Sequence, residues 1–373
     1  MRIRSRKAMG VVVLPVLLLM VADGLARARD VSLNGQLSSW ITRDESAADE
    51  INGGLRYIPE LRMTRSLPDE RNFDGLFALN GYAAVPGNRN DLKLYRAWLR
   101  YAGPRWELRA GLQKINFGPA RILRSLMWFD RVDVRDPLQL TKGVYGVLYR
   151  RYTLNNASFW FWDLYGNDDR KGLERHPSEK DLAELGGRYQ FPVSRGEMAV
   201  TYHRRYVDPE DWARIMVVSP PVLDGLEQRF ALDGIWDIGP GVWFEAAASK
   251  LKVNSNTDFW QEYLTIGADY TFDYGPGIHW LVEHFLYSSG SEASHQDNIS
   301  RVTAVSVDFS VAMLDTLTAI GYYDWNRDRL YSFLGWQRTL DDYLVHVGVF
   351  ESVSGDTSDF SGSGLRLMFT YNH

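Results

Sequence analysis

The stretch Leu365-Arg366-Leu367-Met368-Phe369-Thr370-Tyr371-Asn372 decides the fold, because its two interleaved sets of residues suit two different surroundings. Leu365, Leu367, Phe369 and Tyr371 share one side of an extended chain, and Arg366, Met368, Thr370 and Asn372 share the other. Alternation with a period of two is the signature of a strand with one apolar and one wet face. The pattern runs back through the chain. Val305, Val307, Phe309 and Val311 oppose Ala304, Ser306, Asp308 and Ser310, while Leu264, Ile266, Ala268, Tyr270 and Phe272 oppose Thr265, Gly267, Asp269 and Thr271. Near residue 30, Leu33, Gly35 and Leu37 already alternate with Ser32, Asn34, Gln36 and Ser38. Phe73, Phe77 and Leu79 do the same with Asp74, Ala78 and Asn80.

The spacing predicts eighteen strands, at 31–43, 51–65, 71–85, 89–102, 105–116, 142–152, 156–165, 182–191, 195–206, 227–238, 241–253, 259–273, 277–288, 301–312, 315–325, 329–338, 342–351 and 363–373, with sixteen as the alternative count. Two segments alternate poorly, and there Trp160, Trp162, Leu334 and Trp336 are assigned to the wet side. Phe285 falls in phase with Glu283. Every second connection is a tight turn, such as Gly103-Pro104, Asn155-Asn156 or Ile238-Gly239-Pro240. Those between are mostly long and polar, at 44–50, 117–141, 166–181, 207–226, 289–300 and 352–362. A sandwich has no reason to collect its long loops at one end, whereas a transmembrane antiparallel up-and-down β-barrel does. An open sheet edge in lipid would leave backbone groups without partners, so the barrel must close. Side chains alone cannot fill so wide a cylinder, which calls for a channel or a plug.

The first residues point to export. Arg2, Arg4, Arg6 and Lys7 precede the apolar run Ala8 to Ala22, and Ala26-Arg27-Ala28 places small residues at both positions a signal peptidase reads. Residues 1–28 are therefore expected to be a cleaved signal peptide and 29–373 a single barrel in the outer membrane of a Gram-negative cell. Removing five basic residues and one acidic residue takes the net charge from -5 to -9, an acidic balance that excludes a nucleic-acid partner. The count of cysteine is 0, which excludes disulfides, thiolate metal sites and cysteine catalysis. Aromatic residues make up 13% of the chain, with 13 Trp and 20 Tyr, a surplus suited to membrane interfaces.

The connection 117–141 carries Arg121, Arg124, Asp130, Arg131, Asp133, Arg135 and Asp136 beside Ile122, Leu123, Leu126, Met127, Trp128 and Phe129. So much apolar surface is unfavourable on a loop in water. An outer loop folded inward against the wall would bury it and set a constriction; a structured outer cap is the competing picture. Alternation turns Arg56, Arg62, Arg96, Arg100 and Arg109 inward with Glu60, Asp74 and Glu107, while Asp233, Glu245, Asp269, Glu283 and Asp308 face inward across the barrel. A cationic sector favours anions. Opposed basic and acidic walls would instead set a transverse field.

Gly111-Leu112-Gln113-Lys114-Ile115-Asn116-Phe117-Gly118 resembles the G-x-Q-x-x-x-[WF]-G segment of eighteen-stranded Gram-negative outer-membrane channels, among them phosphate-selective and alginate-export-type porins. The similarity covers about residues 95–150. It implies an inward-folded loop and an arginine-lined path, with Arg96, Arg100 and Arg109 on that path and Gln113 beside it. The sequence departs from those families in lacking the dense lysine and arginine ladder on many strands that strong anion selectivity needs, which counts against phosphate or alginate as the substrate. The last strand also resembles the aromatic-ended signal read by barrel-insertion machinery, with His373 in phase behind Phe369 and Tyr371.

No histidine lies in a motif that fixes a nucleophile, and no histidine pair comes with a third ligand at metal-binding spacing, so neither catalysis, cofactor nor metal is expected. The expected function is diffusion of small hydrophilic solutes, with polymer export and a structural or adhesive role as alternatives. The expected partners are the lipid bilayer with its lipopolysaccharide, the insertion machinery and, compatibly, further copies of the chain. The segment 207–226 is apolar at Val217-Val218-Ser219-Pro220-Pro221-Val222-Leu223 and is expected to pack against a neighbouring long loop, with a cap over the pore or a partner contact as the alternative.

Overall fold

The computed structural model describes residues 30–44, 51–85, 89–208, 225–252, 258–293, 298–351 and 362–373. The N-terminal segment 1–28, most of 207–226 and His295 lie outside them. Eighteen strands follow one another: β1 (Asp30–Asp44), β2 (Ile51–Leu67), β3 (Arg71–Val85), β4 (Arg89–Gly103), β5 (Trp106–Gln113), β6 (Val144–Tyr152), β7 (Ser158–Leu164), β8 (Glu184–Val193), β9 (Gly196–Tyr206), β10 (Leu226–Asp237), β11 (Gly241–Lys252), β12 (Asp258–Phe272), β13 (Ile278–Gly290), β14 (Asn298–Ala312), β15 (Asp315–Asp324), β16 (Arg329–Thr339), β17 (Tyr343–Glu351) and β18 (Ser363–Asn372). Each pairs antiparallel with its neighbours in sequence, and β18 returns to β1 from Gln36↔Asn372 to Asp44↔Gly364. The sheet is therefore a closed barrel with no edge strand, so every strand has a hydrogen-bonding neighbour on both sides.

The two faces differ as the alternation requires. On β18, Leu365, Leu367 and Phe369 are exposed outward while Arg366, Met368 and Thr370 are buried on the inner face. Trp280 and Val282 of β13 point out, and Leu281 and Glu283 point in. One irregularity preserves this order. The β3–β4 register shifts between Ala78 and Leu79, leaving Tyr95 as an extra residue on β4. A bulge of this kind re-aims the chain. Leu92 and Leu94 accordingly face out, whereas Arg96, of the same parity, is buried inside.

Strand β16 corrects the expected phase of Leu334 and Trp336. Leu334 is 54% exposed and Phe333 only 4%, so Leu334 and Trp336 belong to the outer face and Phe333 to the inner one. Phe333 packs with Ile320 and Phe350 against Ile122 and Val134 of the connection between β5 and β6. An inner wall covered by an apolar segment is itself apolar, which is why alternation of polarity misled there. Trp162 is buried inside as expected. β5 also stops at Gln113, three residues before its expected end at Asn116, because the chain leaves the wall there.

Candidate functional site

The connection 114–143 leaves the wall through two glycines. Gly111 has φ +119°, and a Cβ there would lie 2.1 Å from the Ala97 carbonyl oxygen. Gly118 has φ +91°, and a Cβ there would lie 2.2 Å from a Glu245 carboxylate oxygen. Only glycine suits a left-handed backbone at such close approach. Between them Gln113 is fully buried and donates to the carbonyls of Gly146 (3.1 Å) and Arg109 (3.3 Å), which ties the departure point to both flanking strands. Phe117 then stacks on Trp162 at 5.9 Å and meets Trp128 edge-on at 5.6 Å. Ile115, Leu126, Phe129, Leu148 and Leu164 complete this buried apolar cluster. The G-x-Q-x-x-x-F-G stretch thus acts as a swivel followed by an anchor.

Across the barrel, acidic residues of the far wall grip the segment by its backbone. Glu283 accepts from three successive amides, Arg121 (2.7 Å), Ile122 (2.9 Å) and Leu123 (2.5 Å), and from the Trp243 indole N–H at 3.1 Å. Glu245 accepts from the amides of Ala120 (2.9 Å) and Leu126 (2.8 Å). Thr265 donates to the Leu123 carbonyl at 2.5 Å. Glu283 and Glu245 are on the face opposite the exposed Val282 and the outward Phe244, so segment residues 120–126 reach the inner side of β11 to β13. On the near wall Arg96 donates to the Thr141 carbonyl and hydroxyl, both at 2.8 Å, and holds the far end of the segment.

The residues singled out in the sequence separate into groups. Arg56, Asp130, Arg131, Asp133 and Arg135 line one vestibule of about 1040 Å³, joined by Lys142, Tyr322, Asp324 and Arg327. There the Arg56 guanidinium lies 5.3 Å from the Trp40 and Tyr82 rings, a cation–π arrangement, and Arg135 pairs with Asp133 at 2.8 Å. Arg100 and Arg109 form a second cluster. Arg100 meets Asp74 at 2.6 Å and Glu107 at 3.5 Å; Arg109 and Arg150 meet Glu107 at 3.8 and 3.0 Å. Arg96, Gln113 and Arg124 are buried supports, and Arg124 bonds Asn116 and the Phe117 carbonyl and pairs with Asp130 at 3.5 Å. Arg121 faces Asp269 at 3.3 Å on the far wall, and Arg62 pairs with Glu60 at 2.8 Å near the short-turn end. Beside Asp130, 3.9 Å away, the Lys114 ammonium is held below the usual lysine range by burial.

Sequence reading missed a second anchored loop. Residues 171–178, between β7 and β8, lie against the inner wall through a buried network of three cations and three carboxylates. Lys171 meets Glu184 at 2.8 Å, Arg205 meets Glu174 at 3.2 Å and Glu227 at 2.5 Å, and Arg229 meets both Glu174 and Glu227 at 3.0 Å. The Leu173 amide donates to the Met127 carbonyl and joins this loop to the first segment. Arg205, Glu227 and Arg229, all in inward phase, were the available signal. Nearer the surface of the same loop, a hydrogen bond from Lys180 at 2.9 Å keeps the Asp168 carboxyl below its ordinary pKa. Among the described residues no three of His, Asp and Glu converge as a metal ion requires.

No protein-family model and no curated protein sequence matches the chain. Solved structures do. A BenF-like porin from Pseudomonas fluorescens is 11% identical over 93% of this chain and 99% of its own, with a TM-score of 0.61. OccAB1 from Acinetobacter baumannii is 9% identical over 93% and 97%, with a TM-score of 0.58. An anion-selective porin from Comamonas acidovorans is 12% identical over 92% and 99%, with a TM-score of 0.52. At such identities the likeness establishes the fold, a porin-type β-barrel.

Proposed function

We propose that this chain is an outer-membrane channel for the diffusion of small hydrophilic solutes, made as a precursor that loses residues 1–28. The observation that carries this reading is the pairing of a closed eighteen-stranded barrel with a segment gripped from both walls inside it. Lipid and its lipopolysaccharide surround the outward apolar face, water enters the polar inner face, and the segment 117–141 narrows the bore. A bore crossed in this way suits small solutes better than a polymer.

Selectivity in this reading comes in two stages. The outer vestibule presents seven basic and seven acidic side chains, so it attracts neither sign strongly. Deeper, Arg100, Arg109 and Arg150 outnumber Asp74 and Glu107, which gives a mild anion preference. The anion selectivity of the Comamonas porin of the same fold is in keeping with this. Single-channel recording in planar bilayers tests it. Discrete current steps and a reversal potential of anionic sign in a salt gradient are expected, with the anionic bias lost in Arg109→Ala. A folded, inserted barrel that passes no current would overturn the channel.

A further inference from the structure

The outer vestibule is balanced by count but not by position. Of its cations, Arg135, Lys142, Lys171 and Arg327 each meet a carboxylate at 2.8 to 3.4 Å, and Arg131 and Arg170 are engaged as well. Its carboxylates are partly taken by cations from outside it: Arg124 reaches Asp130 at 3.5 Å, Arg205 reaches Glu174 at 3.2 Å and Lys180 reaches Asp168 at 2.9 Å. Arg56 is what remains. Among the described residues no carboxylate pairs with it, and its Nε is buried without a hydrogen-bond partner. The Ser38 hydroxyl, opposite Arg56 on β1, is also buried without a partner. Asp91 of β4, in register with Tyr82, is taken by Lys93 at 2.7 Å.

The unmatched guanidinium is nonetheless held in place. Arg56 is opposite Tyr82 of β3 in register, Tyr82 stacks on Trp40 with ring centroids 5.4 Å apart, and the guanidinium lies 5.3 Å from both rings. Trp40 is fixed in turn. It lies against Gly54 of β2, where a Cβ would come within 2.3 Å of the indole, so a side chain there would displace the ring. Ring faces attract a cation but carry no charge to neutralise it, and a half-buried cation leaves most to be gained by an anion. A guanidinium offers a flat fork of N–H donors that matches carboxylate or phosphate oxygens two at a time. Stacking has already oriented this fork, which lowers the ordering cost of binding.

We infer that Arg56, held on Trp40 and Tyr82, is an outer binding subsite for the carboxylate or phosphate group of a small anionic solute, an inference that rests on the channel reading above and deepens it. Single-channel recording in potassium chloride, with acetate or inorganic phosphate added in rising amounts, tests it. The chloride current of the parent channel should fall as the subsite fills. Arg56→Gln should raise the half-blocking concentration about tenfold, the effect of ~1.4 kcal/mol. Arg56→Lys keeps the charge but gives up the flat fork, and should fall between the two. Block by acetate alone assigns the subsite to carboxylate solutes, and block by phosphate alone to phosphate solutes. No block of the parent channel by either anion, or an unchanged half-blocking concentration in Arg56→Gln, would overturn the subsite. Should Arg56→Gln fail to insert, Arg56→Lys decides the matter in the same way. The current separates the two readings: current without an Arg56-dependent block removes the subsite and leaves the channel, whereas folded, inserted barrels without current remove the channel.

Discussion

Glu283 is the residue on which the crossing segment most depends. Its carboxylate is fully buried and collects three backbone amides and an indole N–H. Such donors need an acceptor once buried, and a hydrogen bond to a charged group contributes about 1.5–3 kcal/mol. Glu283→Gln keeps the shape but offers one acceptor oxygen and adds two donors of its own, so at least one segment amide loses its partner. The variant should lose roughly 2 kcal/mol of stability and show a noisier open current. Thermal unfolding in detergent and current noise check this; wild-type values in both would contradict the assigned grip. Part of the arrangement was legible beforehand. The inward phase of Glu283 and Glu245 followed from alternation, and the G-x-Q-x-x-x-F-G stretch marked the swivel. Their use as acceptors for backbone amides was not legible, because a carboxylate on a wet strand face has the same pattern whether it meets water, an arginine or a loop. Arg96 and Arg124 show the same limit: both face inward, yet they are spent as struts to Thr141, Asn116 and Phe117.

At the scale of elements, strands were the easy part, since eighteen segments of period two survive small errors in their ends. The failures lie where a loop covers the wall. Leu334 and Trp336 were given the wrong face because Phe333 is apolar on the inside, where Ile122 and Val134 cover it. The loop 171–178 escaped notice because its partners are spread over β8, β9 and β10 and form no short motif. Two expected outcomes belong here. Deleting 121–135 removes most of the residues held by Glu283 and Glu245 together with the span that follows them, and should enlarge the single-channel conductance; an unchanged value would refute the segment as the constriction. Glu227→Gln leaves Arg205 and Arg229 buried beside a neutral group. Breaking one partner of a buried ion network costs about 3–5 kcal/mol, so residues 171–178 should become open to protease added outside vesicles. Resistance equal to the parent protein would show that the network does not hold the loop.

For the whole molecule, closure and two-facedness are one property. Pairing β18 with β1 satisfies every strand edge, and the same closure separates an outward surface of Leu, Val and Phe from an inward surface of Ser, Thr, Glu and Arg. Fold and topology were therefore legible from polarity alone, whereas the solute was not, because a charge-balanced vestibule leaves little chemical imprint in the sequence. On β14, Val305, Val307 and Phe309 alternate with Ser306, Asp308 and Ser310. The most direct measurement places single cysteines at these six positions in turn and exposes the barrel, reconstituted in liposomes, to a charged, water-soluble thiol reagent. Modification at 306, 308 and 310 with protection at 305, 307 and 309 is the predicted result. Equal reactivity of the two sets would contradict a wall with hydrocarbon on one side and water on the other.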